Sequence, residues 1–496
     1  MNLKKRLGSS TAWMSLAASG NSVISFVIFI VLSRILTPSD IGLVAFALIV
    51  VEIGKIVVNG GFSQAVIQKA EWDDGYASTC FYLNVIFSIF VTLVVIFIAA
   101  PLIGHYYQAQ AEPIVKVLSI IFFIDGVKAV HEGKLKREFA FKVIALRSIL
   151  AGLIPGAVGI YLALHNFGVW ALVWQQLLNQ IVVTVLTVMT AKWMPQIVFS
   201  FPQAKQLIRF SSPLMLSQLI GNISSKIFEL MVGIVIGPAA LGFYRVGGRA
   251  LYILQDIALK PFEHTALSAL SRINGLTQQA LATIRMIRVS SYLIFPIFFG
   301  AAAVASEFIT LAFGEKWIES GSIMTILAVG IAPIIVNLHI NAALMASGKS
   351  RHVLFLAVSA LLINCIAGAL SVPLGLTAAA YGFTIRSYLI LGIYIFIFKY
   401  VFGTGFINMI KTLAPTILAS SCMLAIVMIT KPLYENHVTA ALQILMSCLI
   451  GALTYTVLMM TLFRNETKNF FAESLDIAPT KLKPYIRAIQ RVTKLT

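Results

Sequence analysis

Fifteen charged side chains interrupt stretches of this chain that are otherwise apolar. The cations are Lys55, Lys116, Lys128, Arg147, Lys226, Arg245, Arg249, Lys260 and Arg386; the acids are Glu52, Asp125, Glu229, Asp256, Glu263 and Glu307. A charge at the middle of a bilayer costs about 2.5–3.5 kcal/mol on insertion scales, so such residues normally face an interior and carry function. Five of them follow one another over 245–263. At 100° per residue, Arg245, Arg249, Asp256, Lys260 and Glu263 fall at roughly 0°, 40°, 20°, 60° and 0° around a helix, a single stripe about 27 Å long. One reading makes this stripe a polar wall of a central cavity between two lobes. The other makes it a set of internal ion pairs, Arg249 with Asp256 and Lys260 with Glu263, that locks helices together. Glu52, Lys55, Asn59 and Ser63 form a thinner stripe of the same kind. Asp125, Lys128 and His131, then Lys226 and Glu229, then Arg386, add further intramembrane charge. Lys116 and Arg147 sit near span ends, where snorkelling to the headgroups is the expected behaviour.

Nine cations against six acids leave the interior net basic. A basic interior attracts an anionic cargo, with phosphate or pyrophosphate the obvious group. The substrate-binding candidates are therefore Arg245, Arg249, Lys260, Lys55, Lys128, Lys226 and Arg386. The acids beside them, Asp256, Glu263, Glu52, Asp125 and Glu229, are candidates for coupling to H+ or Na+. An exporter of organic cations would instead favour acids and aromatic residues.

The elements that position these residues are long apolar helices. Hydrophobic residues make up 59% of the 496 residues and charged ones 11%, against roughly 25% charged in a soluble domain. Apolar runs of about 20 residues suffice to cross a bilayer core as helices. They are too long and too uniformly apolar for barrel strands. Fourteen spans are expected, near 13–33, 41–67, 78–103, 113–131, 143–164, 168–190, 210–236, 240–267, 288–312, 322–346, 353–374, 378–399, 409–430 and 439–463. The first lacks the small-residue cleavage pattern of a signal peptide. With the N-terminus in the cytoplasm, 25 of the 37 Lys and Arg fall in cytoplasmic ends and loops, three in outer loops and nine within spans. That asymmetry obeys the positive-inside rule and places both termini in the cytoplasm. The net charge of +18 thus reports membrane topology, and no nucleic-acid partner is expected. The basic tail KLKPYIRAIQRVTK is expected to be solvated, with anionic headgroups as its alternative contact.

The chain repeats itself. Residues 34–45, RILTPSDIGLVA, correspond to 234–245, IVIGPAALGFYR, with Pro38 matching Pro238 and Gly42 matching Gly242. Each copy lies between two apolar runs. The expectation is an all-α polytopic membrane protein of two lobes, 6+6 transmembrane helices plus two C-terminal helices, 14 in total. The lobes are expected at 1–200 and 201–404, the two extra helices at 405–464 and a basic cytoplasmic tail at 465–496.

Motifs of other chemistries fail on their own terms. ASGKS (346–350) lacks the first glycine of a phosphate-binding loop, since position 343 is alanine. His131-Glu132 lacks the second histidine of a zinc-protease helix, and His339 suits helix packing. Cys80, Cys365, Cys422 and Cys448 sit singly in apolar runs, without metal-ligand spacing. No catalytic residues, no cofactor and no metal are expected.

The segments RILTPSDIGLVAFALIV, NGGFSQAVIQK and FGEKW, with the 6+6+2 layout, resemble the polysaccharide transporter (Wzx-type) branch of the multidrug/oligosaccharidyl-lipid/polysaccharide exporter superfamily. Within it, the chain is most similar to colanic-acid-exporter-like flippases, most strongly over 1–150 and 205–350. The resemblance implies a MATE-like two-lobe fold and a flippase in the bacterial inner (plasma) membrane, moving undecaprenyl-pyrophosphate-linked oligosaccharide repeat units by alternating access, with membrane lipids, an H+ or Na+ counter-ion, and a polysaccharide polymerase and co-polymerase as partners. A multidrug/ion antiporter of the same superfamily and a lipid II flippase are the alternatives of the same fold. A membrane polymerase would carry a large outer loop, and every outer loop expected here is short.

Overall fold

The protein is described by a computed structural model covering residues 20–477, apart from 61, 70, 139, 405 and 436. The start of the expected first span and the tail segment 478–496 lie outside the described residues. Everything described is helix or connection, with no strand among the described residues. Eleven helical stretches are long and apolar enough to cross a membrane. Three more complete the expected set of spans. These are the shorter apolar helix α1 (Gly20–Ile35), together with α6 (Ala111–Arg137) and α10 (Pro238–Leu270), the last two more polar than that standard. The chain is a multi-pass helical membrane protein. Leu, Ile and Phe side chains stand exposed along its helices, Phe97 by 72% and Leu449 by 62%, as lipid contact requires.

By contacts the chain divides into two compact units, Met1–Arg245 and Val246–Thr496, and the division falls inside α10. The first unit holds α1, α2 (Pro38–Asn59), α3 (Phe62–Gln68), α4 (Asp74–Val94), α5 (Ala100–Tyr106), α6, α7 (Phe141–Leu164), α8 (Val169–Ala191), α9 (Phe201–Ile236) and the start of α10. Thr37 caps α2 in a reciprocal box. Its Oγ1 accepts from Asp40 N (3.2 Å), and its own N–H donates to Asp40 Oδ2 (3.1 Å). Pro38, with its fixed φ, fits the first helical position. Asp73 caps α4, accepting from Gly75 N and Tyr76 N. A 2.6 Å bond from Lys69 holds its carboxyl below the ordinary range.

The stretch 191–209, which lies between two of the expected spans, is ordered. Helix α9 already begins at Phe201. Trp193 is buried with Phe62, Val66, Cys80 and Leu207, and its indole N–H donates to Asp74 Oδ1 (2.8 Å). Gln196 N and Ser200 N donate to the hydroxyls of Ser78 and Thr79. One tryptophan carries enough apolar area to anchor the segment.

The second unit holds the rest of α10, then α11 (Leu276–Ala303), α12 (Ala305–Phe313), α13 (Ile318–Ile331), α14 (Ile334–Ala346), α15 (Ser350–Ser371), α16 (Leu376–Phe402), α17 (Phe406–Thr430), α18 (Ala440–Thr461) and α19 (Arg464–Ile477). Phe295, Phe298, Phe313, Trp317 and Phe398 are its largest fully buried side chains. The expected span at 322–346 breaks between α13 and α14 at Ala332-Pro333, because proline lacks the N–H that an unbroken helix needs.

Helix α19 follows the last span and docks on α11. Arg288 bonds Glu466 (3.1 Å) and Glu473, while Tyr292 stacks on Phe470 at 4.0 Å. Burial pushes the Glu473 carboxyl above its ordinary value, with Arg288 pulling the other way. Arg288→Ala leaves two carboxylates without their cation. It is expected to free α19, so that limited proteolysis cuts after Thr461 at least about tenfold faster, the factor that about 1.4 kcal/mol gives. Unchanged cleavage would show that the ring stack holds the helix alone.

Candidate functional site: buried charge networks

The repeated turn has a structural meaning within the first unit. The starts of α2 and α10 touch backbone to backbone. A Cβ on Gly42 would lie 1.7 Å from Pro238 O, and a Cβ on Gly242 would lie 2.0 Å from Pro38 O. The contact is reciprocal, residue for residue, as in an isologous interface. Only glycine permits this approach, and small residues at helix crossings are the usual device in membranes. Gly237, at φ 116, makes the turn into α10 where Thr37 makes it into α2.

Two charge clusters line α2 below this crossing, because Glu52, Lys55 and Asn59 share one helical face. In the first, Arg245 donates to Glu229 (2.6 Å) and approaches Glu52 (4.0 Å), and Lys226 pairs with Glu52 (3.1 Å) and lies 4.0 Å from Glu229. Two cations meet two acids, and Glu229 is 3% exposed.

The second cluster joins α2, α6, α7 and α8 around Asp125. That carboxylate accepts from Asn59 Nδ2 (2.8 Å), Gln180 Nε2 (2.6 Å) and Lys128 Nζ (2.7 Å). Lys55 Nζ donates to Gln180 Oε1 (3.0 Å), so the amide of Gln180 links the lysine to the carboxylate. Glu132, further along α6, meets Lys136 (2.8 Å), Lys128 (3.7 Å) and Arg147 (3.9 Å). Arg147 also donates to Thr187 Oγ1. Lys55, Lys128, Lys136 and Arg147 stand against Asp125 and Glu132, which leaves two positive charges in excess. Such a cluster can bind an anion, and its carboxylates can exchange partners when one arrives.

Several of the sequence candidates are thus brought together. Lys55, Lys128 and Asp125 form one cluster, and Lys226, Arg245, Glu52 and Glu229 the other. Asp256, Lys260 and Glu263 line a separate cavity of about 450 Å³ within the second unit, opposite Asn337 and Asn341 of α14. Arg386 stands apart from these groups. It donates to Asn364 Oδ1 (2.5 Å) and lies over the Phe383 ring (4.2 Å). Arg249 follows Arg245 by one helical turn on α10.

Two expectations change. Lys260 pairs with Asp256 at 3.0 Å, so an i,i+4 pair takes the place of the expected pair with Glu263. Arg147 does not snorkel: its side chain is 6% exposed and points into the Glu132 cluster. Lys116, also near a span end, bonds Glu112 (2.6 Å) in the first turn of the same helix. Glu132 and Gln180 are not among the sequence candidates. Glu132 stands out in the sequence only as the second letter of an incomplete zinc motif. Gln180 carries no charge, and a count of amides inside spans would find it. His339, expected to pack, is buried and faces Ser290 Oγ through Nε2 (3.0 Å).

Residues 31–322 match the sequence pattern of the family described as "Polysaccharide biosynthesis protein", which is well over half of the chain. The chain belongs to that family. It is 24% identical over 358 residues to the teichuronic acid biosynthesis protein TuaB of Bacillus subtilis (strain 168), covering 70% of this chain and 73% of that one. It is 23% identical over 412 residues to the lipopolysaccharide biosynthesis protein WzxC of Escherichia coli (strain K12), covering 79% and 82%. Among solved structures, the lipid II flippase MurJ superposes with a TM-score of 0.74 at 12% identity, over 91% of this chain and 99% of that one. A MATE transporter superposes at 0.52 and 14% identity, over 81% and 97%. The fold of this chain is therefore that of these two proteins.

Proposed function

We propose that this protein is a flippase that carries undecaprenyl-pyrophosphate-linked oligosaccharide repeat units across the bacterial inner membrane. The product would be an exopolysaccharide, a capsule or an O-antigen. The observation that carries this reading is the Asp125–Glu132 cluster, a net-positive group built into apolar helices of a polysaccharide biosynthesis family member. A pyrophosphate offers only acceptors and negative charge, and the ammonium and guanidinium groups there offer donors and positive charge. The names of the relatives, which speak of teichuronic acid and lipopolysaccharide biosynthesis, support the same cargo class. Both termini face the cytoplasm in this reading.

Lys55, Lys128 and Arg147 would receive the pyrophosphate. Asp125 and Glu229 would be the coupling carboxylates, each bonded to a cation that an incoming anion or ion can draw away. Such differential contacts are what an alternating-access cycle needs to shift its populations.

The test is translocation by the full chain in proteoliposomes, read as protection of a fluorescent undecaprenyl-pyrophosphate oligosaccharide from external quencher. The wild-type chain is expected to translocate it. Lys55→Met keeps the Asp125–Lys128 pair and removes one excess charge. It is expected to slow translocation at least about tenfold, a modest share of one ion-pair attraction at short range. Wild-type protein without translocation sinks the function; Lys55→Met at full rate sinks the assignment of the cluster.

A further inference from the structure

We propose that Gln180 is a positioning residue: its amide holds Lys55 off the Asp125 carboxylate and so keeps that ammonium group available to an anionic cargo. The proposal rests on the flippase reading and deepens it, since it names the residue that keeps the anion site open.

Lys55 is partnered differently from Lys128, Arg147, Lys226, Arg245 and Lys260, each of which meets a carboxylate. Lys55 makes no ion pair among the described residues, and its ammonium donates to a neutral oxygen, Gln180 Oε1, at 3.0 Å. An acid is nonetheless close by. The same amide donates through Nε2 to Asp125 Oδ1 at 2.6 Å, so the lysine and the carboxylate stand one amide group apart. In a medium of low dielectric constant, opposite charges gain most by direct contact. The fold forgoes that contact, and local rules of this kind are broken at functional positions.

An amide suits the place between them. Lys55 offers only donors and an ionised Asp125 only acceptors, so the group that bridges them must accept on one side and donate on the other. Glutamine does both at once. Its two neighbours also settle which end faces which: turned about, the NH2 group would face the ammonium and the oxygen the carboxylate. A glutamate there would neutralise Lys55 and repel Asp125. An apolar side chain would leave both groups without this partner. Gln180 is 7% exposed, so bulk water competes little for either end of the amide.

Lys128 does not fill the carboxylate. An ionised carboxyl has about four lone-pair sites, and Asn59, Lys128 and Gln180 supply the donors observed. If the amide is removed, the site it vacates on Asp125 is open to Lys55. With the amide in place, Lys55 is partly exposed, and an anion that reaches it displaces an amide oxygen. Displacing a carboxylate would cost more, because the attraction between two full charges must then be given up.

The test is equilibrium binding of inorganic pyrophosphate to the full chain in detergent, read by isothermal titration calorimetry. The wild-type chain is expected to bind it. Gln180→Met lets Lys55 close on Asp125, and the affinity is expected to fall at least about tenfold, a modest share of one ion-pair attraction at short range. Asp125→Asn removes the charge on which Lys55 would close. In that background Gln180→Met is expected to leave the affinity unchanged, the non-additivity of groups that act on one another. Gln180→Glu is equal in size and provides a second test should the methionine variant fail to fold. It gives Lys55 a carboxylate partner and is expected to bind pyrophosphate at least about tenfold more weakly. Wild-type affinity in either Gln180 variant overturns the proposal. So does a loss in Gln180→Met of the same size in both backgrounds, which is what a purely structural role predicts, and so does a wild-type chain that does not bind pyrophosphate. The probe carries neither lipid nor sugar, so the outcome is independent of translocation. The expected pattern without transport of the lipid-linked cargo removes the flippase reading alone. Transport by a chain whose Gln180 variants keep wild-type affinity removes the role of Gln180 alone.

Discussion

Gly42→Ala is expected to destabilise the first unit by about 3 kcal/mol or more, at or above the upper end usual for overpacking. The physical reason is that the added methyl falls 1.7 Å from a backbone oxygen, Pro238 O, and backbone cannot rotate away as a side chain can. The starts of α2 and α10 must then separate. Gly242→Ala meets Pro38 O at 2.0 Å and is expected to cost a similar amount. Both substitutions open the same crossing, so the double variant should cost clearly less than the sum, the signature of coupled sites. Gly221 is the control. It lies on α9, and a methyl added there meets nothing within 4 Å, so Gly221→Ala should be neutral or stabilising by up to about 1 kcal/mol through helix propensity. Thermal unfolding of the detergent-solubilised protein reads all four. Wild-type stability in Gly42→Ala would mean that the two turns do not touch.

The second large effect is expected at Asp125. Asp125→Ala takes from Lys128 its 2.7 Å partner, leaving Glu132 at 3.7 Å, and removes the acceptor of Asn59 and Gln180. Breaking a buried pair by deleting one partner costs about 3–5 kcal/mol. Asp125→Asn keeps the shape and loses the charge, and should fall between wild type and alanine. Removing the cation as well, in Asp125→Asn with Lys128→Met, should recover part of the loss. A double-mutant cycle on thermal stability measures the coupling, expected at about 0.5–3 kcal/mol for groups in one network. Strictly additive effects would show that the 2.7 Å contact between the two groups contributes nothing to stability. The same variants in the translocation assay separate a stabilising role from a transport role, since a variant that folds at wild-type stability but does not transport can be explained only by the latter.

Much of this is legible in the residues. Asp125 and Lys128 lie three apart in an apolar run, so the helical period alone brings them together, and their pair is the one observed. The capping box at Thr37 and Asp40 is likewise local. Gln180 is not legible, because an uncharged amide leaves no mark on a charge count and its partners are 125 and 55 residues away in sequence. Arg147 misleads for a related reason. Its place near a span end permits snorkelling, and only the approach of α6 and α8 gives it Glu132 and Thr187 to bond.

The sequence by itself determined the helical membrane class, the duplication and the stock of intramembrane charge, since these follow from composition, period and the cost of placing charge in lipid. Tertiary structure decided which charges meet. It made Lys260 the partner of Asp256, drew Lys226 and Arg245 onto Glu52 and Glu229, and set the two repeated glycines against each other's prolines. Those outcomes depend on how helices far apart in the chain approach one another, and an ion pair or a backbone crossing is decided over a few ångströms that helical period and hydropathy do not specify.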